Sequence, residues 1–218
     1  MHQVKLSDLS AEETYKLLTG VVVPRPIAWV STLSDQGLVN LAPFSCYTFV
    51  STQPPLLGIN MGRKAGQRKD TARNALARRE FVVNIGNQDM VQAIHHSAIE
   101  FPPDVSEVDV LGLPLAPSVE IATPRLADVP ISLECQLEQV IPFGDTGAEF
   151  VVGRILRMHA DPNVMKGDRI DSQRLRPVCR LGGPLYGALG ELIPQPAIAQ
   201  TPKSVMPSSV MPNTPASS

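Results

Sequence analysis

ISLECQLEQVIPFGDTGAEFVVGRILRMH, residues 131–159, holds two long alternating runs, Ile131 to Ile141 and Ala148 to His159, on either side of Pro142-Phe143-Gly144-Asp145-Thr146-Gly147. Alternation with period two, interrupted by a glycine-rich polar turn, is the pattern of a β-hairpin with one buried face. The segments before it are ambiguous without that hairpin. Asp70 to Arg79 carries Ala, Leu and Arg at helical spacing, Phe81 to Ile85 is a compact strand, and Asn87 to Ala98 is an amphipathic helix. Such a run could open a parallel sheet. The long hairpin turns the reading toward a mainly β chain with a few helices (α+β), an antiparallel β-barrel.

The remaining segments agree. Ser10-Ala11-Glu12-Glu13 is a capping-box pattern with Gly20 placed as a stop, which predicts a helix over 11–18. Val21 to Val23, Ile27 to Thr32, Val39 to Thr48 and Leu56 to Met61 read as strands, separated by Ser34-Asp35-Gln36-Gly37 and Pro54-Pro55. From Pro194 onward six prolines fall in 25 residues with few large apolar groups, too little burial to offset ordering entropy. One domain over 1–193 and a disordered proline-rich tail over 194–218 are therefore expected.

Composition narrows the function classes. The 218 residues carry a net charge of −2, which provides no broad basic field for nucleic acid. Pro24, Arg25 and Pro26 cut the richest early apolar run, so no membrane span is expected. The N-terminal MHQVKLSDLSAEE lacks the order of a signal peptide, and a cytoplasmic enzyme is the expectation. Cys46, Cys135 and Cys179 are too widely spaced for a disulfide framework or zinc cluster and read as buried small hydrophobes. The four histidines are similarly sparse: His95 and His96 are adjacent and so point in different directions on a helix, while His2 and His159 stand alone, and no structural metal is expected.

Three segments carry chemistry. In Pro24-Arg25-Pro26-Ile27-Ala28-Trp29-Val30-Ser31-Thr32 two prolines stiffen the backbone around Arg25, which either faces an anionic ligand or caps a rigid turn in solvent. In Asn40-Leu41-Ala42-Pro43-Phe44-Ser45, Pro43 is expected to stop regular pairing. The freed amides and Ser45 Oγ then either bond a ring or phosphate or form a simple bulge. Lys69-Asp70-Thr71, with Asn74, falls at a helix start, where free N–H groups, the macrodipole and a lysine make a phosphate site. The plain alternative there is Asp70 as N-cap beside a solvated Lys69. Arg63, Lys64, Arg68 and Arg73 make the surroundings basic.

Taken in order, PRPIAWVST, a turn ending at Gly37, NLAPFS, QPP at Gln53 to Pro55, KDTARN and FVVN at Phe81 to Asn84 resemble the flavin reductase-like, FMN-binding split-barrel family. Leu133-Glu134-Cys135, Val152-Gly153-Arg154 and Arg180-Leu181-Gly182-Gly183 with Tyr186 extend the resemblance over about residues 10 to 190. It implies an antiparallel Greek-key barrel, working as a homodimer, with FMN in a groove at the subunit interface. By the same resemblance Arg25, Ala28, Ser31, Thr32, Asn40, Ala42, Pro43, Phe44 and Ser45 line the flavin. Lys69, Thr71 and Asn74 meet its phosphate.

The implied activity is hydride transfer from NADH or NADPH to flavin, as in the reductase component of a two-component flavin monooxygenase, with that monooxygenase as the implied partner. The alternative is a flavoredoxin-like FMN electron carrier without NAD(P)H activity of its own. A pyridoxamine-phosphate oxidase type has a similar barrel but no matching signature here. The cofactor supplies the hard chemistry, so the lack of a Ser/His/Asp constellation does not count against an enzyme. No G-x-G-x-x-G follows a strand, so nicotinamide binding through a Rossmann domain is not expected. His159 and Tyr186 are left without an assigned role.

Overall fold

The computed structural model describes residues 1–195. Helix α1 (Ala11–Val21) begins at the expected capping box: Ser10 Oγ accepts the Glu13 N–H at 3.2 Å, and Glu13 Oε2 accepts the Ser10 N–H at 2.9 Å. It runs through Gly20, so Val21–Val23 form the helix end and a coil, not the expected strand. Gly20 instead permits a close approach. A Cβ added at Gly182 would lie 3.3 Å from the Gly20 Cα, so the C-terminal segment packs directly on the end of α1.

The strands follow as β1 (Arg25–Pro26), β2 (Ala28–Leu33), β3 (Val39–Phe44), β4 (Tyr47–Thr52) and β5 (Pro55–Met61). Helix α2 (Asp70–Arg78) ends in the left-handed Arg79 and leads to β6 (Glu80–Ile85). Helices α3 (Val91–His96) and α4 (Glu107–Leu111) precede the long pair β7 (Ile131–Phe143) and β8 (Ala148–Ala160). Strands β9 (Val178–Arg180) and β10 (Tyr186–Ala188) close the described chain, β9 pairing with β1 and β10 with β9. The expected helix 87–98 is shorter than read, a 3₁₀ turn over Gln88–Met90 followed by α3. The hairpin loop is also tighter than expected, because Pro142 and Phe143 stay paired with Glu149 and Ala148.

Seven strands form one antiparallel sheet in the order β3-β2-β6-β7-β8-β5-β4. The β7–β8 hairpin sits between β5 and β6, which are neighbours in sequence, and this is the long return of a Greek key. β3 and β4 lie at opposite ends of that order, yet only Ser45 and Cys46 join them. The sheet must therefore curl until its ends meet. The Asn60 N–H donates to the Cys46 carbonyl at 2.8 Å and anchors the corner on β5. The chain read as one strand over Val39 to Thr48 is thus two strands with a sharp corner. Pro43 does not stop pairing: it stands opposite Trp29, and because β3 is an edge strand its missing N–H breaks no ladder.

Alternation along β2 divides the core. Ala28 and Val30 point into the barrel with Leu57, Ile59, Phe81, Val83, Cys135 and Val151, while Trp29 points outward among Leu41, Ile94, Val108 and Leu126. Trp29 Nε1 donates to Ser97 Oγ at 2.8 Å, which satisfies the one polar atom of that buried ring. Gly153 is required by close packing, since a Cβ there would meet Phe81 Cζ at 2.4 Å. Of the cysteines only Cys135 is the buried hydrophobe expected, with its thiol pushed up by burial; Cys46 is exposed and Cys179 intermediate. No helix among the described residues is long and apolar enough to cross a membrane. Most of the expected tail, residues 196–218, lies outside the described residues.

Candidate functional site

The outer edge of β3 borders two cavities. One, of about 560 Å³, lies between α1, the β3–β4 corner and the β9–β10 hairpin, and includes Arg25, Pro43, Phe44, Ser45, Arg180 and Tyr186. The other, of about 320 Å³, lies against the start of α2 and includes Asn40, Ala42, Pro43, Phe44, Lys69 and Thr71. Pro43, Phe44 and Ala98 line both. The two cavities form one groove, of the size and mixed polarity of small-ligand sites.

Arg25 builds the first cavity. It is only 6% exposed, so it is not the solvated arginine of the plain reading. Its guanidinium donates to the carbonyls of Thr19, Val22 (2.9 Å) and Leu181 (2.9 Å), and its Nε to Ser45 Oγ (3.4 Å). The rigid fork of five donors thereby ties the end of α1, the β3–β4 corner and the C-terminal segment together. A lysine, with its three N–H groups on a single nitrogen, lacks the planar fork that spreads these contacts. Across the cavity the Arg180 guanidinium lies 4.6 Å from the Tyr186 ring centroid, and the Tyr186 hydroxyl is 3.3 Å from His95 Nδ1.

At the other end Lys69 occupies the N-cap position of α2 with no side-chain cap, and Asp70 is the first helical residue rather than the N-cap. The amides of Asp70, Thr71 and Ala72 have no acceptor among the described residues, which leaves the positive helix end open. The neighbouring cations are taken. Arg68 donates to Glu149 at 2.8 and 2.7 Å, Lys64 pairs with Glu100, and Arg73 pairs with Asp70. Lys69 has no carboxylate partner among the described residues. The Arg68 hydrogen bond, with the charges of Arg68 and Arg63, holds Glu149 below the usual carboxylate range despite burial.

The other expected site residues divide by position. Asn40 Nδ2 donates to Thr71 Oγ1 at 2.9 Å, and Asn74 Nδ2 to Thr32 Oγ1 at 3.3 Å, so these four pin α2 against β2 and β3. Ala28 is packed inside the barrel. Ser31 Oγ donates to the Pro124 carbonyl at 2.8 Å and accepts from Asn84 Nδ2 at 3.2 Å behind the sheet. Sequence reading missed Glu107, which lines the α2 cavity and accepts the Leu41 N–H at 2.9 Å. Burial raises its pKa, the Asp70 charge adds to the rise, and N–H groups of Leu41 and Glu107 itself oppose it. It also missed Lys16 and Arg180 beside the first cavity.

His159, left without an assigned role by the sequence, lies away from the groove. Its Nε2 bonds the buried Glu134, which also accepts the N–H groups of Val119 (2.8 Å) and Glu120 (2.7 Å). Burial pushes Glu134 upward, but these hydrogen bonds together outweigh it and hold the carboxyl below its ordinary value. The arrangement clamps the 119–120 loop to the hairpin.

The antiparallel split barrel is the fold of the flavin reductase-like class of proteins. A model of the flavin reductase like domain matches residues 20–174, and the chain belongs to that family. It is 45% identical over 199 residues to an uncharacterized protein of Halalkalibacterium halodurans, covering 88% of this chain and 95% of the relative. Among solved structures it is similar to nitrilotriacetate monooxygenase component B from Bacillus cereus, with TM-score 0.87, 36% identity, and 89% and 98% of the two chains covered. It is also similar to the 2-nitrobenzoate 2-nitroreductase NbaA of Pseudomonas fluorescens, with TM-score 0.83, 31% identity, and 93% and 100% covered.

Proposed function

We propose that the chain binds FMN along the β3 groove and transfers a hydride to it from NADH or NADPH, as a cytoplasmic flavin reductase of the kind that supplies a monooxygenase. The observation that carries this is the continuity of the groove between two chemically different ends. From Asn40 to Phe44 the edge strand spans about 13 Å at roughly 3.3 Å per residue, with the Ser45 corner beyond it, room for an extended mononucleotide. Lys69 and the uncapped α2 amides hold the phosphate. Pro43, Phe44 and Ser45 lie where the ring rests, with Arg25 fixing the corner that carries Ser45. The similar proteins include a monooxygenase component and a nitroreductase, which supports oxidoreductase chemistry.

The flavin itself, once bound, supplies the hydride-accepting ring. The protein's part is to bind, orient and shield. Pro43 and Phe44 make an apolar wall that shields the ring from water. Arg25 adds positive charge at the same end, where exclusion of water would strengthen its hold on an anionic group.

We also infer a homodimer. α1 buries none of its residues, and Tyr15, Leu18 and Val21 on it, with Phe49 on edge strand β4, are exposed. A second copy covering them would close the groove and protect the edge. Sedimentation across concentration, with and without FMN, tests this: FMN should tighten the dimer, and a fully loaded monomer would refute it. The activity test is the absorbance spectrum of the purified protein followed by rapid mixing with NADH and NADPH. Bleaching of the flavin by either supports the reductase; a yellow protein bleached by neither is an electron carrier.

A further inference from the structure

The two ends of the groove differ in how their charge is balanced. At the α2 end, carboxylates neutralise Lys64, Arg68 and Arg73. At the other end three cations, Lys16, Arg25 and Arg180, face one carboxylate, Glu12, and that carboxylate is held by Lys16 at 2.6 Å. Arg25 bonds carbonyls and a hydroxyl, two of the carbonyls at the negative end of α1, and no carboxylate pairs with it among the described residues although the side chain is buried. Arg180 makes no ion pair among the described residues. It stacks on Tyr186 and spends one N–H on the Gly183 carbonyl at 2.9 Å, which leaves the rest of its planar fork free.

A half-enclosed cavity with uncompensated guanidinium charge attracts an anion, and a guanidinium held flat favours a carboxylate, which it can engage through two N–H groups. The remaining wall, away from Pro43 and Phe44, is apolar or aromatic, with Ile27 and Tyr186. A fully hydrated ion such as phosphate cannot use that surface. A flat ring can.

We propose that this cavity selects a flat aromatic small molecule bearing one carboxylate, and that Arg180 is the residue that determines this preference. The proposal rests on the reading that flavin lies against Pro43 and Phe44, because the cavity is then the space left for a second ligand beside the ring. Tyr186 acts through Arg180 by holding its guanidinium plane, and is a positioning residue.

The test is calorimetry on the purified protein with benzoate, its neutral isostere benzamide, and inorganic phosphate. Benzoate is expected to bind about tenfold or more tightly than benzamide, the effect of one charge-assisted contact, and more tightly than phosphate. Raising salt on the wild type should shrink the benzoate preference and leave benzamide unchanged. Arg180→Gln should erase the preference, while Arg180→Lys should keep part of it. Equal binding of benzoate and benzamide, phosphate binding as tightly as benzoate, or a preference that survives Arg180→Gln would overturn the proposal. FMN uptake measured on the same samples separates the two readings. A protein that takes up no FMN yet keeps the benzoate preference refutes the flavin assignment alone; one that takes up FMN without the preference refutes the anion cavity alone.

Discussion

Replacing Lys69 with alanine tests the phosphate end of the groove at the one cation there without a carboxylate partner among the described residues. Arg68, Lys64 and Arg73 each face a carboxylate, so their fields are largely cancelled at the start of α2. Lys69 lacks such a partner among the described residues and stands next to three amides without acceptors. A charge-assisted contact to phosphate is worth about 1.5–3 kcal/mol. Lys69 is exposed, so water screens it and the lower end of that range applies, which is about tenfold in affinity. The assay is calorimetric titration of wild type and Lys69→Ala with FMN and with riboflavin, which lacks the phosphate. FMN affinity should fall about tenfold while riboflavin affinity stays the same. Unchanged FMN binding, or an equal loss for both flavins, would show that the phosphate does not sit at this helix.

Gly153→Ala places a methyl 2.4 Å from the buried Phe81 ring, an overpacking cost of about 1–3 kcal/mol that calorimetric melting should read as a drop of several degrees. Ser97→Ala leaves the Trp29 indole N–H without its acceptor in the core, and should cost about 1–3 kcal/mol in chemical denaturation. Glu149 has a folded pKa below its unfolded value. Its contribution is therefore present above the unfolded pKa of about 4.3 and is lost as pH falls through the depressed folded value. Glu149→Gln should accordingly be less stable than wild type near neutral pH, with the gap closing below about pH 4; a gap independent of pH would refute the assignment.

Some features of this protein were decided within a few residues of chain. The capping box of α1 links residues three apart, and it formed as read, because both partners are brought together by one turn of helix. The β7–β8 hairpin was legible for a similar reason: period-two alternation and a glycine turn specify a local pairing without any distant partner. The start of α2 at Lys69-Asp70 was also visible, although which of the two is the N-cap was not. The order of motifs along the chain was enough to identify the family.

Tertiary structure decided the rest. Pro43 lies in a paired strand only because β3 ends the sheet, a fact that depends on where six other strands lie. Val21–Val23 have strand-like side chains, but the approach of Gly182 to Gly20 and the bonds from Arg25 to Thr19 and Val22 hold them at a helix end. Arg25 reaches the Leu181 carbonyl 156 positions away, and Arg180 reaches the groove only because β9 pairs with β1. Residue type and spacing determine local hydrogen bonds and the face that must be buried. Which residues meet across the groove is settled by closure and register of the barrel, where a one-residue shift would turn every side chain to the opposite face.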